Sequence, residues 1–86
     1  MYYFYVLKSL KDGNLYFGYT VDLRRRLSEH NLSKTPSTRP RRTFDPVYYE
    51  AYAAGSDAKQ REKQIKHRAK AYGQLKRRIA NSIKEV

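Results

Sequence analysis

The 86-residue chain contains no cysteine and no tryptophan. Without thiols it forms neither disulfides nor thiolate zinc sites, and it has no cysteine nucleophile. Acidic residues are few: eight Asp and Glu stand against nineteen Lys and Arg, a formal net charge of +11. No segment approaches the roughly 18 consecutive apolar residues that a membrane span needs. The apolar start from Tyr2 to Leu7 lacks a basic region before it and runs into Lys8, so neither a secretory signal nor a membrane partner is expected. This length predicts one domain, residues 1–86, with a core that buries roughly 60–65% of the unfolded surface.

What the chain has in quantity is positive charge and phenol. A field of +11 on so small a body attracts polyanions, and nucleic acid is the commonest of them. Nine tyrosines can stack on bases or donate to phosphates, although tyrosines on strands are also ordinary core material. Charge alone fits a nuclease, an idle nucleic-acid-binding module and a basic RNA- or ribosome-associated protein equally well. A cytoplasmic, nucleoid-associated location is expected.

Tyr2 to Lys8 is rich in aromatic and β-branched residues and reads as a strand. Asp12-Gly13-Asn14 supplies a turn, and Leu15 to Tyr19 returns as the second arm of a hairpin. Thr20 or Asp22 can cap a helix over Val21 to His30, whose stripe is Leu23, Leu27 and His30 with Arg26 at its margin. Leu32 to Asp45 reads as a basic loop, and Val47 to Ala53 as a third strand. Ser56 is the expected cap of the next helix, Gly73 the expected break, and Leu75, Ile79, Ile83 and Val86 the apolar face of a closing helix. The order β-β-α-β-α-α makes an α+β domain in which helices flank a small antiparallel sheet.

One acidic residue stands apart. Between Ala58 and Arg78 the chain has five lysines, four arginines and a single carboxylate, Glu62. Ala58, Glu62, Ile65, Ala69 and Tyr72 follow the spacing of one helical stripe, so Glu62 is expected to point inward. An inward carboxylate costs several kcal/mol, on the order of a buried ion, unless a cation or a hydrogen-bond network compensates it. A divalent metal and a structural arginine partner answer that need equally well.

Tyr3-Phe4-Tyr5, then Tyr16-Phe17-Gly18 after ten intervening residues, then Thr20-Val21-Asp22-Leu23 with Arg26 and His30, then Ala58 with Arg61-Glu62-Lys63-Gln64-Ile65-Lys66, together resemble the GIY-YIG nuclease domain family, in its standalone bacterial form. The resemblance spans residues 2 to about 80. It implies a three-stranded antiparallel sheet and a hydrolase: a divalent-metal-dependent endonuclease acting on DNA, of the kind used in repair or recombination. It makes Tyr5 and Tyr16 the two motif tyrosines, Gly18 the point of close backbone approach, Arg26 the contact to the scissile phosphate, His30 the helix histidine and Glu62 the ligand of one Mg²⁺ or Mn²⁺ ion. No small-molecule cofactor is implied, and no oligomeric state. Tyr3, Phe4 and Phe17 replace the aliphatic or glycine residues usual in the motifs, and the tryptophan common after the glutamate segment is missing.

The chemistry suits phosphodiester hydrolysis. Mg²⁺ is usually held by one or two carboxylates with phosphate oxygens and waters, and it acts as a Lewis acid. Arg26 offers a permanently charged planar fork to non-bridging oxygens. Two bases compete. Tyr5 is expected to have its pKa lowered by the surrounding positive charge, while His30 is expected to titrate near neutrality. Arg25, Arg39, Arg41, Arg42 and Lys66 are the expected further contacts to nucleic acid.

Overall fold

The computed structural model describes residues 1–32 and 43–86. Three strands form one antiparallel sheet in the order β2-β1-β3: β1 is Tyr2–Ser9, β2 is Leu15–Thr20 and β3 is Phe44–Tyr52. The central strand is the most apolar of the three, as a strand flanked on both edges should be, and Phe4, Tyr5, Val6 and Leu7 are all buried. The hairpin turn is closed by side chains. Ser9 Oγ accepts from the amides of Lys11 and Asp12, Asp12 accepts from Asn14 N at 2.9 Å, and Gly13 takes the positive φ of 75° that the turn requires.

Alternation along β1 divides the core in two. Phe4 and Val6 face one side, where Ile65, Leu75 and Ile79 meet them; Tyr5 and Leu7 face the other, with Phe44, Tyr16, Leu23 and Leu27. Helix α1 (Leu23–Asn31) covers this second side, while α2 (Gly55–His67) and α3 (Ala69–Arg78) pack over the first. A short α4 (Ala80–Glu85) closes the described chain, and its last carbonyls are met by Lys8, whose Nζ donates to Ile83 O at 2.9 Å and Val86 O at 3.0 Å. The fold is therefore the expected α+β arrangement on a three-stranded sheet, with one helix more than expected.

Several boundaries move for identifiable reasons. β3 begins at Phe44, three residues before the expected start, because edge strands tolerate Pro46 and a register irregularity opposite Val6/Leu7 absorbs Val47. Asn31 pins that start to α1, donating from Nδ2 to Phe44 O and accepting from Phe44 N at 2.7 Å. Asp22 caps α1 through a 3.0 Å bond from Arg25 N. Ser56 is not the cap of α2: the helix starts at Gly55, behind Ala54, with no side-chain cap. The helical run ends at Arg68, which is extended, rather than at Gly73, which lies inside α3.

Candidate active site

Tyr5 organises the candidate site. It sits on the central strand opposite Gly18 of β2 and Tyr49 of β3. Its ring lies across Gly18 so closely that a Cβ there would fall 2.2 Å from both Cζ and the hydroxyl. Gly18 was expected to let backbone approach the site; what approaches is the Tyr5 ring, and any side chain at 18 would displace it.

The Tyr5 hydroxyl is hydrogen-bonded to Nε2 of His30 at 3.0 Å. His30 is wholly buried near the end of α1, in edge contact with the rings of Tyr16 and Tyr5 and tilted against Phe44. Burial, together with the positive charge of Arg26, lowers its pKa from 6.5 to about 4, so at neutral pH the ring is uncharged. The expectation that His30 titrates near neutrality is therefore corrected. So is the expectation for Tyr5. Burial raises its pKa to about 12, and the hydrogen bond and charge of Arg26, which act the other way, do not overcome it. Tyr16 and the negative charge of Glu62 raise it further.

Arg26 stands beside the phenol on α1. It is partly exposed and held by Glu29 at 3.1 Å, three residues on. Burial alone would lower its pKa, but hydrogen bonds to Tyr5 and Glu29 raise it, so the guanidinium stays charged. Arg25 is exposed, with a loose 3.9 Å pairing to Glu29. Arg39, Arg41 and Arg42 lie outside the described residues.

Glu62 differs from its expected state. It is neither fully buried nor uncompensated: its side chain is 25% exposed and pairs with Lys66 at 3.1 Å, one helical turn away. The apolar stripe that was to carry it inward ends at Ile65, because α2 stops at His67 and Ala69 is exposed. Lys66 stands over the Tyr16 ring, 6.0 Å from its centroid, so α2 brings this ion pair to the second motif tyrosine.

The inward carboxylate is Glu50 on β3, which sequence reasoning passed over. Its side chain is 17% exposed and accepts from the hydroxyls of Tyr48 and Tyr52 and from Arg61 Nε at 3.0 and 3.2 Å. Alternation in Tyr48-Tyr49-Glu50-Ala51-Tyr52 carried the signal, since it aligns Tyr48, Glu50 and Tyr52 on one face. The cluster lies on the α2 and α3 side of the sheet, across from Tyr5.

Among the described residues no three His, Asp or Glu side chains converge to cage a metal. A lone, partly exposed carboxylate whose partner is a flexible lysine nonetheless fits a hard cation that keeps most of its water and takes further oxygens from a phosphate. No helix among the described residues is long and apolar enough to cross a membrane.

The family described as the GIY-YIG catalytic domain matches residues 1–78. The chain belongs to the GIY-YIG family. It is similar to a UPF0213 protein of Bacillus pumilus, 47% identical over 66 residues that make up 76% of this chain and 66% of the relative. A UPF0213 protein of Lactiplantibacillus plantarum is 38% identical over 86 residues, covering 96% and 83%. Another, of Staphylococcus haemolyticus, is 39% identical over 66 residues, covering 76% and 79%. Membership in the GIY-YIG family implies nuclease-type activity on nucleic acid, in a family whose nucleases generally use a divalent metal.

Proposed function

We propose that the chain, as one GIY-YIG domain, is a divalent-metal-dependent endonuclease that hydrolyses phosphodiester bonds in DNA, with a cytoplasmic, nucleoid-associated role in repair or recombination. The observation that carries this reading is the convergence of Tyr5, His30 and Arg26 over the gap left by Gly18. Arg26 would hold the non-bridging oxygens of the scissile phosphate, a position where developing charge is stabilised by a donor already in place. Glu62, freed from Lys66, would hold one Mg²⁺ or Mn²⁺ ion together with phosphate oxygens and water. Bound there, such an ion supplies Lewis acidity and positive charge near the Tyr5 phenol.

Between the two candidate bases, the geometry favours Tyr5. His30 is sealed from solvent and its Nε2 is engaged by the Tyr5 hydroxyl, so it orients the phenol and presents no base to water. Tyr5, itself only 2% exposed, borders the groove between α1 and β3. With a pKa near 12 it is protonated at neutral pH, and its ionisation needs added positive charge, from a cation near Glu62 beyond what Arg26 supplies.

The test is nicking of supercoiled plasmid with and without Mg²⁺. Wild type is expected to nick only with the metal. Glu62→Gln is expected to lose nicking while binding DNA as before and melting at nearly the same temperature, since an exposed i,i+4 pair contributes only about 0.3–0.5 kcal/mol. Nicking by Glu62→Gln at the wild-type rate would remove Glu62 from the site. DNA binding without nicking by any metal would favour an idle binding module.

A further inference from the structure

We propose that the groove between α1 and β3 holds an unpaired nucleobase of the strand whose phosphate lies at Arg26, so that the chain selects unpaired nucleotides where it cuts. This rests on the nuclease reading above and adds a substrate class to it. The groove encloses about 270 Å³. Leu23 and Leu27 of α1 form one wall, Pro46 and Tyr49 of β3 the other, and Tyr5 and Leu7 of the central strand lie between them. Arg24 and Arg26 join the lining, and none of the described residues lining it is acidic.

Such a slot suits a flat neutral ring tethered to an anion. The apolar walls accept the ring and reject the phosphate, which the two guanidiniums take. An apolar side chain of a protein partner would fill the walls but would bring no anion to Arg24 and Arg26, in a chain of net charge +11. A base and its phosphate satisfy both halves of the site.

Tyr49 supplies the stacking surface. It is 57% exposed, yet its ring is steadied edge-on by Tyr3 with centroids 5.7 Å apart. It lies directly across from Tyr5 in the β1–β3 ladder, and Arg26 and Tyr5 line the same groove. The phosphate grip, the phenol and the exposed ring are therefore neighbours. Stacking on such a ring tolerates any base, because every base has a π face. A base within a duplex is covered on both faces and has to be flipped out to enter, at an energetic cost that a single strand, bulge or junction arm avoids.

Abasic scanning tests this. Fluorescein-labelled single strands, each with one abasic site at a different position, are titrated with the full chain in EDTA to read binding. They are then incubated with Mg²⁺ to read cleavage, for wild type, Tyr49→Ala and Tyr49→Phe. An abasic site at one position from the cut is expected to weaken binding about tenfold, the size of one lost stacked base. Tyr49→Ala should weaken binding of the intact strand by a similar factor and become indifferent to that abasic site, and Tyr49→Phe should restore both. Affinity that no abasic position changes, or a Tyr49→Ala loss equal for intact and abasic strands, overturns the base slot. Cleavage without abasic sensitivity removes the slot and leaves the nuclease. Abasic-sensitive binding without cleavage keeps the slot and removes the nuclease.

Discussion

Each face of the sheet carries tyrosines with an arginine and an inward-turned polar partner, and the two clusters are finished differently. On the α2 and α3 side, Glu50 receives two phenols and a guanidinium, so its charge is met within the protein. Those partners hold its pKa below the usual carboxylate value although burial acts the other way. On the α1 side, Tyr5 has a neutral imidazole and an arginine but no carboxylate bonded to it, and its pKa is pushed up instead. One cluster is electrostatically closed. The other has its arginine paired with a partly exposed carboxylate, Glu29, and borders a groove that Arg24 also lines, where an anion can compete for the guanidinium. The difference teaches that the number of polar residues is a poor guide to a site, and that whether the charge is met inside the protein or at an accessible edge is a better one.

The comparison breaks most visibly on activity. Arg26→Ala is expected to lower kcat/KM on nicked or single-stranded DNA by about 10²–10³ through lost charge stabilisation. Tyr5→Phe should lower it by about 10²–10⁴, the usual cost of removing a general base. Because the folded-state pKa of Tyr5 lies near 12, the wild-type rate should climb with pH through the neutral and alkaline range, and the Tyr5→Phe profile should be flat. A Tyr5→Phe protein that keeps more than about half its activity, well inside the general-base range, would assign the base elsewhere.

The closed cluster should answer in stability instead. Glu50→Ala strands Arg61 and two phenols, and chemical denaturation should show a loss of about 2–4 kcal/mol, with kcat/KM of the folded fraction little changed. Equal losses of stability and of specific activity would mean that the two faces are not separable.

Acid titration sharpens the contrast. The His30 pKa is depressed in the folded chain, so the unfolded chain binds the extra proton first, and stability should fall as pH drops from about 6.5 to about 4. The span corresponds to roughly 2–4 kcal/mol. Glu50, also depressed, contributes stability above its ordinary value of 4.5 that is lost as pH falls through its lower folded pKa. Melting curves should therefore show the His30 slope at higher pH than the Glu50 slope, and His30→Gln should remove only the first. A single acid transition unaffected by His30→Gln would contradict buried neutral histidine.

The smallest effect expected is a gain. Gly73 lies inside α3, and a Cβ there would meet only Arg77 Nη1, at 3.9 Å. Gly73→Ala should raise stability by about 0.5–1 kcal/mol without touching the α1 side.

Much of the site was legible because its residues are set by local periodicity. Tyr5 and Gly18 fall opposite each other once the hairpin turn at Asp12-Gly13-Asn14 is placed, and Arg26 and His30 share a helix face by their four-residue spacing. Glu62 was legible in position and not in state, since whether an i,i+4 lysine reaches it depends on where the helix ends. Glu50 and the groove were missed. Both depend on β3, whose start inside a basic, proline-bearing stretch is imposed by pairing with β1 and by Asn31.

The chain's own pattern thus determined the sheet, the positive field and the residue types at the site, because strand alternation, helical spacing and net charge are local or additive properties. Tertiary structure alone decided which carboxylate turns inward to a cluster of phenols and an arginine, which way the pKa values of Tyr5 and His30 move, and that a groove opens beside Tyr5. Each of these turns on desolvation and on neighbours brought from distant parts of the chain, such as His30 to Tyr5, 25 residues apart. Spacing along a sequence holds no record of which groups lose their water.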